Sequence, residues 1–100
     1  VAGLRGTFRA EIWLSEVFAA CRFVSLPNHL ADEIDDTVDR SKPGFGSVRV
    51  SVTIGGTSWD TSVFPDAARR TYVLPLKKAV RIAEGVDIGD TVDVDLAVRG

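Results

Sequence analysis

The chain contains no methionine, one cysteine and one histidine among its 100 residues. A lone cysteine, Cys21, excludes an internal disulfide, and a reducing cytoplasm is the compartment expected for such a chain. One histidine and one cysteine cannot supply a zinc-ligand spacing, so no metal is expected. There is no apolar run near the ~20 residues that a membrane helix needs, so no membrane contact is expected. VAGLRG at the start is too short and too polar for a signal peptide. With no methionine, a removed initiator or a longer start is expected. Neither a phosphate-cradling Walker A motif nor a G-x-G-x-x-G run occurs, so no nucleotide cofactor or other cofactor is expected. No repeat, low-complexity tract or second domain is visible, and residues 1–100 read as one domain.

What is present is a period of two. Phe8, Ala10, Ile12 and Leu14 alternate with Arg9, Glu11 and Trp13. Around Cys21–Leu26 the alternation leaves apolar groups on both faces. Val48, Val50, Val52 and Ile54 alternate with Arg49, Ser51 and Thr53. Gly55-Gly56 then permits a tight hairpin turn into TSWDTSVF, residues 57–64. Pro65 is expected to end that ladder, because proline has no N–H to donate. TYVL, 71–74, is a short strand stopped by Pro75. Residues 91–98 alternate again, with Val92, Val94, Leu96 and Val98 inward, while Asp93 and Asp95 face out and discourage edge pairing.

Two segments have helical period. Residues 27–38 carry the stripe Leu30, Ile34 and Val38, with Pro27 or Asn28 at the start. Residues 76–85 carry Leu76, Ala79, Val80 and Ala83, with Gly85 in the left-handed position beyond the end and Val86 folding back toward Val80. The loop DRSKPGFG, 39–46, lies between helix and strand. The order ββαβββαβ describes a mostly β domain. Six short strands leave exposed edges unless the sheet curls, so a small closed or split barrel capped by the two helices is expected.

Taken together, FRAEIW, FVSLPNHLADEI, VSVTIGGTSW and above all YVLPLKKAVRIAEGVDIGDTVDVDL, 72–96, resemble a bacterial family of unknown function, DUF1905. Some of its members are joined to a YdeI/OmpD-associated segment, and the end at Gly100 implies that none is present. The resemblance covers nearly the whole chain and implies a double-split β-barrel capped by helices. It implies no activity, cofactor or catalytic residue. DAARR, 66–70, stands where the resemblance implies a more glycine-rich turn. Similar barrels occur in AbrB-like and MazE-like DNA-binding proteins, an analogy of fold alone.

Charge is unevenly spread. Five acids lie between Asp32 and Asp39, five cations between Arg69 and Arg81, and five more acids between Glu84 and Asp95. The acids at 32–39 lack the glycine and spacing of a calcium loop and read as a solvated helix face. Cys21 reads as a small buried hydrophobe and His29 as a surface residue, with no third group to make them a nucleophile and base. No pair of acids is singled out by spacing for glycoside chemistry. The candidate ligand-binding residues are therefore Trp59, Arg69, Arg70, Tyr72, Lys77, Lys78 and Arg81. Trp59 joins them only if its strand pairs with 71–74. Cations around an exposed aromatic suit phosphate contact and base stacking, whereas the plainer reading is the wet side of a helix. The function expected is a non-catalytic binding module for an anionic small molecule or a protein partner. A second copy is one such partner, its acidic helix meeting the basic one. Sequence-tolerant nucleic-acid binding is the alternative, set against a sequence pI near 5.2. An enzyme using carboxylates ranks last.

Overall fold

The computed structural model describes residues 4–15, 21–37 and 46–99, with Thr37 described by its backbone alone. Seven strands and two helices follow in the order β1 (Arg5–Glu11), β2 (Trp13–Leu14), β3 (Arg22–Ser25), α1 (Asn28–Thr37), β4 (Val48–Ile54), β5 (Thr57–Asp66), β6 (Thr71–Pro75), α2 (Lys78–Glu84) and β7 (Thr91–Val98). All pairings are antiparallel, in the spatial order β1-β7-β4-β5-β6-β3-β2. The sheet curls into a half-barrel capped by the helices, the mostly β class that the alternation predicts. No helix among the described residues is long and apolar enough to cross a membrane.

Two chain segments run through both halves of the sheet. One is the first expected strand, which divides into β1 and β2 at Ile12. There the Ile12 N–H donates to the Asp90 carbonyl and the Ile12 carbonyl accepts from Gly89 N–H, both at 2.9 Å. Those bonds end the ladder with β7, and the chain continues onto β3. Leu14, expected inside, is 45% exposed, because β2 is only two residues long and sits at the sheet's end.

The other crossing is β5, and it corrects the reading of Pro65. The strand does not stop there but runs on to Asp66. Val63 is the last residue paired with β4, and Phe64 is the first paired with β6. The missing N–H falls where one ladder has ended, so it interrupts nothing.

Val92, Val94, Leu96 and Val98 enter the core as expected, joined by Val50, Val52, Ile54, Val24 and Leu74. β7 is nevertheless no edge, since it pairs with β1 on one side and β4 on the other. Asp93 and Asp95 meet arginines across the strand instead of guarding a free edge. Leu30 and Ile34 bury the inner stripe of α1, while Val38 lies outside the described residues. Gly6 lets β1 pass beneath that helix: a Cβ there would lie 2.8 Å from Leu30 Cδ1.

Of the stripe predicted over 76–85, Leu76, just before α2, and Val80 are buried, whereas Ala79 and Ala83 are exposed. The helix has only seven residues, and Val80 is its one buried side chain. Gly85 takes φ 65° as predicted. Its N–H and that of Val86 donate to the Ile82 and Arg81 carbonyls at 3.3 and 3.0 Å, closing the helix.

Candidate functional site: an apolar groove on the second half of the sheet

Side chains alternate across a strand, so each half of the sheet has an inner and an outer face. In the first half, β1-β7-β4-β5, the outer face is mostly polar, with Ala97 among its arginines, aspartates, serines and threonines. Arg9 donates to Asp93 at 2.8 and 3.4 Å, and Arg5 donates to Asp95 at 3.1 Å twice. The Ser51 hydroxyl and Arg99 donate to Asp60 at 2.7 and 2.8 Å, and the Thr53 and Ser58 hydroxyls lie 2.8 Å apart. The bonds from Arg9 and Arg5 hold the Asp93 and Asp95 carboxyls below the usual carboxylate value and raise both arginines. A shallow depression of about 500 Å³ lies here, but its charged groups already satisfy one another.

The second half, β5-β6-β3-β2, has the opposite character. Its inner face carries Val24, Leu26, Tyr72 and Leu74 of the core. Register places Trp13, Phe23 and Pro75 in one row on the other face, with Phe64, Val73 and Ser25 in the next. The change of polarity is visible along each crossing segment. On β5 the outer residues run Ser58, Asp60, Ser62 and then Phe64; on β1 and β2 they run Arg9, Glu11 and then Trp13.

This apolar face forms a groove of about 660 Å³ whose wall includes Trp13, Phe23, Phe64, Pro65, Val73 and Pro75. Trp13 is fixed by donating its indole N–H to the Ser25 hydroxyl at 3.0 Å, and its ring lies 5.3 Å from Phe23 at 38°. Over it lies Arg69, its guanidinium carbon 3.7 Å from the ring centroid. Arg69 comes from the turn joining β5 to β6, residues 67–70, which also borders the groove. Asp66 shapes that turn by accepting from the Arg69 backbone N–H at 3.2 Å and from Nη1 at 2.9 Å. Arg70 ends the turn at φ 56°, the left-handed region where glycine is at ease. The glycine-rich turn implied by the resemblance is thus replaced by a strained arginine.

Cys21 also lines the groove and is exposed, which corrects the expectation of a buried thiol. It precedes β3 at the rim, where nothing among the described residues encloses it. His29 is exposed at the start of α1, as expected.

The candidate residues read from sequence are scattered. Only Arg69 borders the groove. Tyr72 is buried in the core, its hydroxyl donating to Asp35 at 3.2 Å. Trp59 pairs with Val52 of β4 and not with 71–74, and it packs half-buried against the core. Arg81 is drawn inward, donating to the Leu76 carbonyl at 3.2 Å and lying 3.5 Å from Asp87. Arg22 donates to the same Asp87 at 3.1 Å. Asp87 sits below the usual carboxylate value, chiefly through the Ile88 backbone N–H that it accepts. Arg70, Lys77 and Lys78 remain exposed, with no side-chain ion pair or hydrogen bond among the described residues. Arg70 faces Asp32, Asp35 and Asp66 across a smaller cavity of about 340 Å³ beside α1. No three histidine, cysteine, aspartate or glutamate side chains gather as metal ligands among the described residues.

The groove residues other than Arg69 were not picked out from the sequence. One signal was there: β3 and β6 are apolar on both faces, where a strand with one wet face should alternate. Fold and surface together define the class, a small split barrel presenting an apolar cleft. The chain belongs to the DUF1905 family, described as a domain of unknown function, whose family model matches residues 8–96. No curated protein matches the chain.

Proposed function

We propose that this domain is a non-catalytic binding module and that its ligand surface is the apolar groove over β2, β3, β5 and β6, which takes a small anionic molecule. The observation that carries the proposal is the contrast in polarity along β5 and along β1–β2. Both strands are hydrophilic on the outside until they reach the second half of the sheet, then aromatic. A soluble surface has no need of that change, whereas concave, mostly apolar clefts of several hundred Å³ are the usual form of small-molecule sites. The anionic part of the reading is supported by the charge of the adjoining chain: between Asp66 and Lys78 four cations face one acid.

Nucleic-acid binding draws less support. Its aromatic, Tyr72, is buried, and Arg81 is already bonded to Leu76 and Asp87. Among the described residues, Asp66 is the one acid that lines the groove, so carboxylate catalysis finds no pair there. A reducing cytoplasm suits an exposed thiol at Cys21.

The test is a set of ¹H–¹⁵N spectra recorded while small aromatic acids, and separately a duplex oligonucleotide, are added to the protein. The expected result is that the acids shift the signals of Trp13, Phe23, Phe64 and Val73. Shifts confined to Arg70, Lys77 and Lys78, and produced by the oligonucleotide, would overturn the proposal.

A further inference from the structure

We infer that Arg69 is the specificity residue of the groove and that the ligand is a flat aromatic carboxylate. Its carboxylate is taken by the Nε–H and Nη2–H edge of the guanidinium, and its ring by the aromatic wall. The inference rests on the groove being the ligand surface and adds the ligand's chemistry. Among the described residues, the only side-chain partner of the Arg69 guanidinium's N–H groups is Asp66, and it engages Nη1 alone. The Nε–Nη2 edge is intact, and that edge matches the two oxygens of a carboxylate in a bidentate pair.

The guanidinium is also held before any ligand arrives. Trp13 supports its face and Asp66 holds one end, while Ser25 in turn fixes Trp13. A pre-positioned fork loses little freedom on binding, which is where affinity for a small ligand is usually lost. Asp66 does not compete for the site, because Arg69 itself occupies both its oxygens, through the backbone N–H on Oδ1 and Nη1 on Oδ2. Flat side chains dominate the wall, namely Trp13, Phe23, Phe64, Pro65 and Pro75. Planar bodies stack on such surfaces with ring separations like that of Trp13 and Phe23. The volume of about 660 Å³ accommodates a fused two-ring body.

The experiment compares 2-naphthoate with its uncharged match 2-naphthamide, by calorimetric titration of the wild-type protein and of Arg69→Gln, Arg69→Lys and Phe64→Asp. Circular dichroism checks that each variant keeps the fold. The inference expects naphthoate to bind about tenfold more tightly than naphthamide, the worth of a charge-assisted pair. That preference should vanish in Arg69→Gln and fall to a few-fold in Arg69→Lys, which keeps the charge and loses the fork. Both probes should lose binding in Phe64→Asp. Equal affinities in the wild type, or a preference unchanged in Arg69→Gln, would overturn the carboxylate inference while leaving the groove as a site. If neither probe binds, or if Phe64→Asp leaves both unaffected, the groove reading fails as well.

Discussion

The two halves of the sheet share one core and differ on their outer faces. Over β1, β7, β4 and β5 outward polar groups pair with one another: arginine meets aspartate, and serine meets aspartate or threonine. Over β6, β3 and β2 the outward groups include Phe23, Val73, Pro75 and Trp13, Ser25 is bonded to the Trp13 indole, and Arg69 lies on that indole. The first face is finished in water. The second buries Phe23 and Val73 to 7% and 6% exposure yet leaves Phe64 at 43%. A layer that is nearly a core but still open is where a ligand gains most from displacing water. Shared architecture thus says little about use, and the polarity of one outer face says more.

The largest effect that separates the faces concerns two adjacent residues. Leu74 points inward and is fully buried; Val73 points outward beneath the groove. Leu74→Ala is expected to cost about 2–5 kcal/mol in urea unfolding, and Val73→Ala only about 1–2 kcal/mol. Equal costs would break the comparison, because the outer layer would then be packed as a second core.

A smaller effect lies in the two hairpin turns, one in each half. The β4–β5 turn places Gly55 at φ 58°, and the β5–β6 turn places Arg70 at φ 56°. Gly55→Ala should destabilise by about 1–2 kcal/mol, since a side chain there adopts the left-handed region and its Cβ displaces the Glu84 carboxylate. That carboxylate also accepts the Thr57 hydroxyl at 2.5 Å. Arg70→Gly should stabilise by roughly 0.5–1 kcal/mol, the strain relieved less the entropy that glycine loses on folding. Thermal unfolding of both variants checks the opposite signs. Two losses would mean that Arg70 is held by contacts worth more than its strain. Strain retained beside Arg69 fits a turn kept for its side chains rather than its stability.

The smallest effect belongs to the finished face. Asp93 and Asp95 have folded-state values lowered from 3.8 by their arginines. Groups lowered in the folded state contribute stability that is full above their unfolded value and lost as pH falls through the lowered one. Asp93→Asn should therefore flatten the acid side of the stability profile below about pH 4. At neutral pH it should change little, and less at high salt, because both partners are exposed. A large loss at neutral pH and high salt would show that the ladder holds the sheet together.

Much of this was legible in the chain. Period-two alternation located β4 and β7 and the inward set Val92, Val94, Leu96 and Val98, because a strand's faces are a local property. Gly55 and Gly85 were legible as turn and helix stop, because positive φ is local too. The errors came wherever meaning depended on a partner. Pro65 was expected to end a strand, and it lies instead where β5 changes neighbours. Asp93 and Asp95 read as acids that discourage edge pairing, and their strand is interior. Tyr72 looked like a surface aromatic among cations, and it is buried.

The sequence by itself determined the mostly β class, the family, the turn positions and the faces of most strands. Only the tertiary structure decided that Trp13, Phe23, Phe64 and Val73, up to 60 residues apart, line one groove under Arg69. Alternation assigns a residue to a face, but strand pairing alone says which faces adjoin. Pairing is a non-local choice made by the whole core, and no short stretch of chain contains it.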